Sequence, residues 1–336
     1  MPHGLLSTPR TAATATLGVA SLSAADEALL ELGRQMLTGG YRFTCVTPDT
    51  HAIVDARRGH AQASDLRDIF GWSLPFDQRL LSADWLALMR QAGVLEQREG
   101  GLCGSAVRYA SFDRTIVVHS AWPTAQNDAV FFGPDTYRFG ALIERVLSVR
   151  GGAPPRTVVD IGCGTGAGGI LAARLLGSAS ATRVLFTDIN RKALAYAAIN
   201  AQLAGLKAYA CCKSDVLQQV EDPVDLVIAN PPYMFDPQER AYRHGGGALG
   251  SALSVRILGE SLQRLAPGGC LILYTASPIV AGIDTLWQAC KPLLDKARVR
   301  HDYREIDPDV FGSELHTPAY AEVERIAAVG LVVHIS

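Results

Sequence analysis

Residues 158–169 read VVDIGCGTGAGG, and the reading of this stretch decides the fold. β-Branched residues run into Asp160, and Gly162, Gly164, Gly166, Gly168 and Gly169 follow. An apolar pattern at helical spacing, AGGILAARLLG, then starts at Ala167. Glycine at such a strand-to-helix turn permits positive φ and lets a ligand approach the main chain closely. The helix start behind it offers free N–H groups. Gly164, Gly166 and Gly169 satisfy G-x-G-x-x-G, so the turn alone leaves a dinucleotide open as its ligand.

Outward from the turn the unit repeats. RVLFTDI (183–189) reads as a strand and RKALAYAAINAQLAG (191–205) as a helix. KAYACCKSDV (207–216) and VDLVIAN (224–230) supply further strands, SALSVRILGESLQRLAPGG (251–269) a helix closed by Pro-Gly-Gly, and CLILYTA (270–276) another buried strand. Near-continuous apolar strands alternating with amphipathic helices specify a parallel sheet covered on both faces. ARVRHDYREID and VERIAAVGLVVHI, with no long helix between them, close it as an antiparallel edge. The expected fold class is α/β, a Rossmann-like doubly wound seven-stranded sheet with a mainly helical N-terminal domain.

Strand ends carry the chemistry in such sheets, because ligands bind beyond the carboxyl ends of the strands. Asp160, Asp188, Asp215 and Asn230 fall at four successive strand ends and converge on one crevice. Asp188 is placed to take both hydroxyls of a ribose, a geometry that serves NAD and S-adenosylmethionine alike. Three features favour the second. Asp160 directly precedes the glycines, where dinucleotide folds show apolar residues; Asp215 is placed to read an adenine amine; and the fourth strand ends in Asn230-Pro231-Pro232-Tyr233.

With these residues in place, the chain from about Asp128 onward resembles class I S-adenosylmethionine-dependent methyltransferases. The likeness is greatest to the group with an Asn-Pro-Pro-Tyr-type motif, which includes release-factor glutamine methyltransferases and amino-methyltransferases of rRNA and DNA bases. The segment FFGPDTYRFG adds to the resemblance. It implies S-adenosylmethionine as cofactor, held by Asp135, Thr136, Tyr137, Asp160, Gly162, Cys163, Gly164, Gly166, Asp188, Ile189, Asn190, Asp215, Val216 and Asn230. Catalysis would fall to Asn230, Pro231, Pro232 and Tyr233. The Asn230 oxygen and the Pro231 carbonyl would hold the N–H bonds of a planar nitrogen, Pro232 would fix that carbonyl's direction, and Tyr233 would stack on the planar group. An alternative keeps the cofactor but transfers or cyclises its aminocarboxypropyl group, releasing methylthioadenosine. One departure stands out: where the glutamine methyltransferases carry an acidic element before a glycine-containing stretch, this chain has Arg243-His244 ahead of GGGALGS. That loop reads either as a substrate lid or anion site, or as a helix lead-in.

The 336 residues are 48% hydrophobic and 19% charged, with a formal charge of −2, enough chain for two domains. The expected division is a flexible segment 1–23, a recognition domain 24–125 and a cofactor domain 126–336. The neutral total does not favour nucleic acid as partner, although a local basic patch can hide inside it. The substrate is thus open among a protein glutamine, an RNA base and a small metabolite. No apolar run of about 18 residues points to a membrane span. Seven cysteines without metal-ligand spacing suggest no bound metal and a reducing, cytoplasmic setting. In the N-terminal part, DEALLELGRQMLTGG (26–40) and SADWLALMRQAGVLEQREGG (82–101) read as helices. SAVRYASFDRTIVVHSAW (105–122) reads as a hairpin turning at Asp113, an order that resembles a winged-helix module.

Overall fold

The computed structural model describes residues 22–59, 61–124, 126–177, 182–240 and 242–336; the expected flexible segment lies almost wholly outside them. In chain order the helices are α1 (Ala24–Thr38), α2 (Pro48–Arg58), α3 (Leu66–Phe70), α4 (Ala83–Gln91), α5 (Pro134–Ser148), α6 (Ala167–Leu176), α7 (Arg191–Leu203), α8 (Ala252–Arg264) and α9 (Thr285–Ala297). The strands are β1 (Leu95–Gln97), β2 (Cys103–Ser105), β3 (Val107–Phe112), β4 (Thr115–Ser120), β5 (Thr157–Ile161), β6 (Arg183–Asp188), β7 (Tyr209–Lys213), β8 (Val224–Ala229), β9 (Leu265–Val280), β10 (Ile283–Asp284), β11 (Arg300–Asp307) and β12 (Arg325–His334).

Among the described residues, seven strands form the main sheet in the order β11-β12-β9-β8-β5-β6-β7, with the two-residue β10 added beside β9. Pairing is parallel from β9 through β7, and β12 runs antiparallel to both its neighbours. The sheet is therefore the doubly wound α/β form with one reversed strand near an edge. Alternation within each strand sends side chains to two cores. Val159, Ile161, Val227 and Ala229 pack with Ile257 and Leu258 of α8 and Leu286 and Leu294 of α9. Val158, Val184, Phe186 and Ile228 pack on the other face with α5 and α6. That second core continues without a break into Leu32, Met36, Phe70, Tyr109 and Ile116, so the N-terminal elements bury their apolar faces on the sheet domain.

Local chemistry sets the boundaries. α1 starts at a reciprocal cap in which the Ser23 side chain accepts from the Asp26 N–H and Asp26 accepts from the Ser23 N–H. The expected helix over 82–101 is shorter: α4 stops at Gln91, because Gly93 takes φ +68 and turns the chain into β1. β3 and β4 pair as expected around Asp113. The sequence reading missed α2, α3, α5 and α9. The α5 range begins Pro-Asp-Thr, which reads as a loop motif, yet Pro134 at the first helical position is pre-set for the helix.

Candidate functional site

β5, β6, β7 and β8 are adjacent in the sheet, so their carboxyl ends open on one crevice. A cavity of about 230 Å³ fills it. Its lining takes in Asp135, Thr136, Asp160, Gly162, Cys163, Gly164, Asp188, Ile189, Asn190, Asp215, Val216 and the whole corner Asn230 to Tyr233. Of the residues expected at the site, Gly166 and Tyr137 are the two that do not line it. Gly166 instead caps α6 with φ +75, a conformation that suits glycine at the turn. Tyr137 faces the N-terminal elements: its hydroxyl accepts from the Cys45 N–H at 3.1 Å and donates to the Ser111 carbonyl at 3.0 Å.

The two central carboxylates are held by backbone donors. Asp188 Oδ2 accepts from the Gly164 N–H at 3.0 Å and Oδ1 from the Asn190 N–H at 2.8 Å. Each oxygen keeps a lone pair for a diol. Burial raises the Asp188 pKa, against the pull of those N–H groups. Asp160 is 2% exposed and accepts from the Gly169 N–H at 2.8 Å. Desolvation pushes it up to about 8, with the Asp188 charge adding and the Gly169 bond opposing. Asp215 reaches the crevice but is partly engaged, its Oδ2 lying 2.9 Å from the Arg256 guanidinium.

The Asn-Pro-Pro-Tyr corner is braced from distant parts of the chain. The Tyr320 hydroxyl accepts from the Phe235 N–H at 2.7 Å, and the Met234 N–H donates to the Arg243 carbonyl at 3.1 Å. The glycine-containing loop after it is packed down on the corner. Gly250 has φ +83, and a Cβ there would stand 2.4 Å from the Tyr233 carbonyl oxygen. Arg243 is ion-paired to Glu314, tying the loop to the β11–β12 connection. The Tyr233 ring is more buried than a stacking role implies: it lies edge-on to Tyr274 and Phe311, at 6.4 and 5.9 Å. Beside it the buried Asp135 accepts from the Tyr274 hydroxyl at 2.8 Å and sits 3.4 Å from Arg138. Burial raises the Asp135 pKa, with Tyr274 and Arg138 opposing.

Sequence reasoning missed Pro48, Phe131, Tyr242, Leu253, Ile257 and Phe311, which line the same cavity. Phe131 sat inside the quoted FFGPDTYRFG. Phe311 left no local signal; it is a non-glycine residue at φ +57, about 80 positions beyond the corner it touches.

Comparison with known proteins places a family model, "Methyltransferase small domain", on residues 140–282. A release factor glutamine methyltransferase of Rhodopirellula baltica is 31% identical over 160 residues, covering 43% of this chain and 53% of that protein. One of Bradyrhizobium diazoefficiens is 28% identical over 259 residues, covering 69% of this chain and 82% of that protein. A ribosomal RNA small subunit methyltransferase C of Hahella chejuensis is 35% identical over 120 residues, covering 35% of this chain and 30% of that protein. The chain thus spans about half the length of the first of these relatives.

Proposed function

We propose, from the match of residues 140–282 to the methyltransferase small domain model, that the chain uses S-adenosylmethionine to methylate a planar nitrogen, an amide or an exocyclic amine. One observation carries the reading: Asn230 and Pro231 line the same cavity as Asp160, Asp188 and the glycine turn. The residues present fit the cofactor. Asp188 has lone pairs left for the ribose hydroxyls, and Ile189, 51% exposed, offers an apolar surface beside it for the purine. Asp160 and the turn lie towards the methionine end, with Asp135 and Thr136 closing the side. Asp215 keeps one carboxylate oxygen for the adenine amine.

When bound, the cofactor supplies an electrophilic sulfonium methyl. An amide or aryl amine is a poor nucleophile because its lone pair is delocalised. The Asn230 oxygen and the Pro231 carbonyl accept its two N–H bonds and turn the lone pair towards the methyl. Proline fixes φ at both Pro231 and Pro232, so the acceptor carbonyl is held in one direction. Positioning of this kind supplies roughly 7–11 kcal/mol of a barrier in favourable cases. Asn230 is neutral, which suits a neutral acceptor better than a cation. The methylated nitrogen sheds its proton without a strong base. Residues 24–125 act as the recognition part and 126–336 as the cofactor part.

The relatives are named for a protein glutamine and for ribosomal RNA, and the acceptor here is one of these or a small metabolite. Arg243, ion-paired to Glu314 where an acidic element is expected, separates this chain from the glutamine pattern. The test adds purified protein and methyl-labelled S-adenosylmethionine to an extract of cells lacking it, then splits the products by protease, nuclease and size. Label in one fraction, with S-adenosylhomocysteine as co-product, is the expected result. Methylthioadenosine in its place would replace methyl transfer by the aminocarboxypropyl chemistry.

A further inference from the structure

At the opposite end of the sheet from the acceptor crevice lies a second cavity of about 700 Å³. It is formed by the last turn of α5, the start of β11 and the end of β12, and Arg145, Arg150, Arg300 and His334 line it. Along β11, Arg300, Asp302 and Arg304 alternate onto one face. The face is short of negative charge. Asp302 pairs with Arg145 at 3.1 Å, whereas Arg150, Arg300 and Arg304 have no carboxylate within 4 Å among the described residues. Four guanidinium groups thus meet one carboxylate. Arg145 Nε is buried without a hydrogen-bond partner, and Arg150 spends one donor on the Ala153 carbonyl.

Neighbouring groups register the positive field. The pKa of Arg304 is lowered by burial and then by Arg145, and that of His334 by burial and then by Arg300 and Arg150. Arg138 and Arg145 stand two turns apart on one side of α5, whose first turn carries Asp135 at the acceptor crevice. Arg138 is neutralised there by Asp135 at 3.4 Å and Asp307 at 2.9 Å, so the positive face is confined to the cleft.

We infer that this cleft binds the phosphate backbone of a single-stranded nucleic acid. Arg300 and Arg304 stand four residues apart on β11, about 13 Å, a spread that matches successive phosphodiesters better than one compact anion. Charged side chains on an edge strand also block edge-to-edge pairing, but that role accepts either sign and requires no convergence of arginines from α5. A nucleic-acid substrate rests on the methyl-transfer reading, whereas the test below reads binding alone.

The probe is a fluorescein-labelled dodecamer of uridine RNA, followed by anisotropy at increasing potassium chloride. Saturable binding with a steep salt dependence is expected. Arg300→Glu with Arg304→Glu should weaken it at least about tenfold at low salt and flatten the log–log salt slope by about 1.4, at roughly 0.7 for each phosphate no longer neutralised. Asp302→Asn should tighten binding, a gain that misfolding does not produce. The Glu variant keeps charge on the edge, so a monomeric elution profile with RNA binding abolished separates the two roles of the strand. No saturation up to about 100 µM protein, where even non-specific association registers, would overturn the inference. So would unchanged binding in the Glu variant, or inorganic pyrophosphate displacing the RNA at equal phosphate concentration.

Discussion

Asp188 and Asn230 line one cavity but are held in opposite ways. Asp188 is fixed by backbone N–H groups of Gly164 and Asn190, 24 and 2 residues away. Around Asn230 the support is long-range: Tyr320 anchors the next residues from 85 positions on, Gly250 underlies Tyr233, and Glu314 holds Arg243. The proposed cofactor half is thus a property of two neighbouring strand ends and their turn. The proposed acceptor half is assembled from segments that meet only in the folded chain. Such a division lets one cofactor cradle serve many acceptors, because the acceptor walls change without touching it.

The largest expected effect belongs to the acceptor half. Asn230→Ala removes one of the two proposed acceptors for the nucleophile's N–H bonds and should lower turnover by about 10²–10³, comparable to losing one oxyanion donor. Steady-state label transfer measures it, and a loss below about tenfold would remove Asn230 from the chemistry. Next comes Gly250→Ala, which forces a Cβ into the Tyr233 carbonyl at a positive φ. It should cost about 2 kcal/mol or more of stability in denaturant unfolding and lower activity along with it. Retained stability with full activity would show that the loop does not brace the corner.

A smaller effect sharpens the cofactor half. Burial raises the Asp160 pKa to about 8, so the native state binds this proton more tightly than the unfolded chain. Its contribution to stability is therefore largest below about pH 4, is lost as pH rises towards about 8, and is level beyond. Asp160→Asn should remove this fall in the cofactor-free protein, so that the variant gains on the parent with rising pH. Parallel stability curves for the two proteins would contradict it.

The same division explains what the sequence revealed. The α/β class, the antiparallel edge and the convergence of Asp160, Asp188, Asp215 and Asn230 were legible, because strand period, glycine turns and strand-end residues are local signals. Phe311 and Pro48 were not, since nothing near them in the chain announces the cavity wall they form. Tyr137 misled because its motif neighbours Asp135 and Thr136 line the cavity while its own ring turns to Cys45 and Ser111. The net charge of −2 also averaged out the α5–β11 arginines, which converge only once an edge strand packs beside a helix that begins some 160 residues earlier.

The most direct measurement is calorimetric titration of S-adenosylhomocysteine into Asp188→Asn and Asn230→Ala alongside the parent. The account predicts about 10–100-fold weaker binding in the first, the cost of charge-assisted bonds to a ribose diol, and affinity within a few-fold of the parent in the second. Equal losses in both would show that the crevice is not divided into cofactor and acceptor halves.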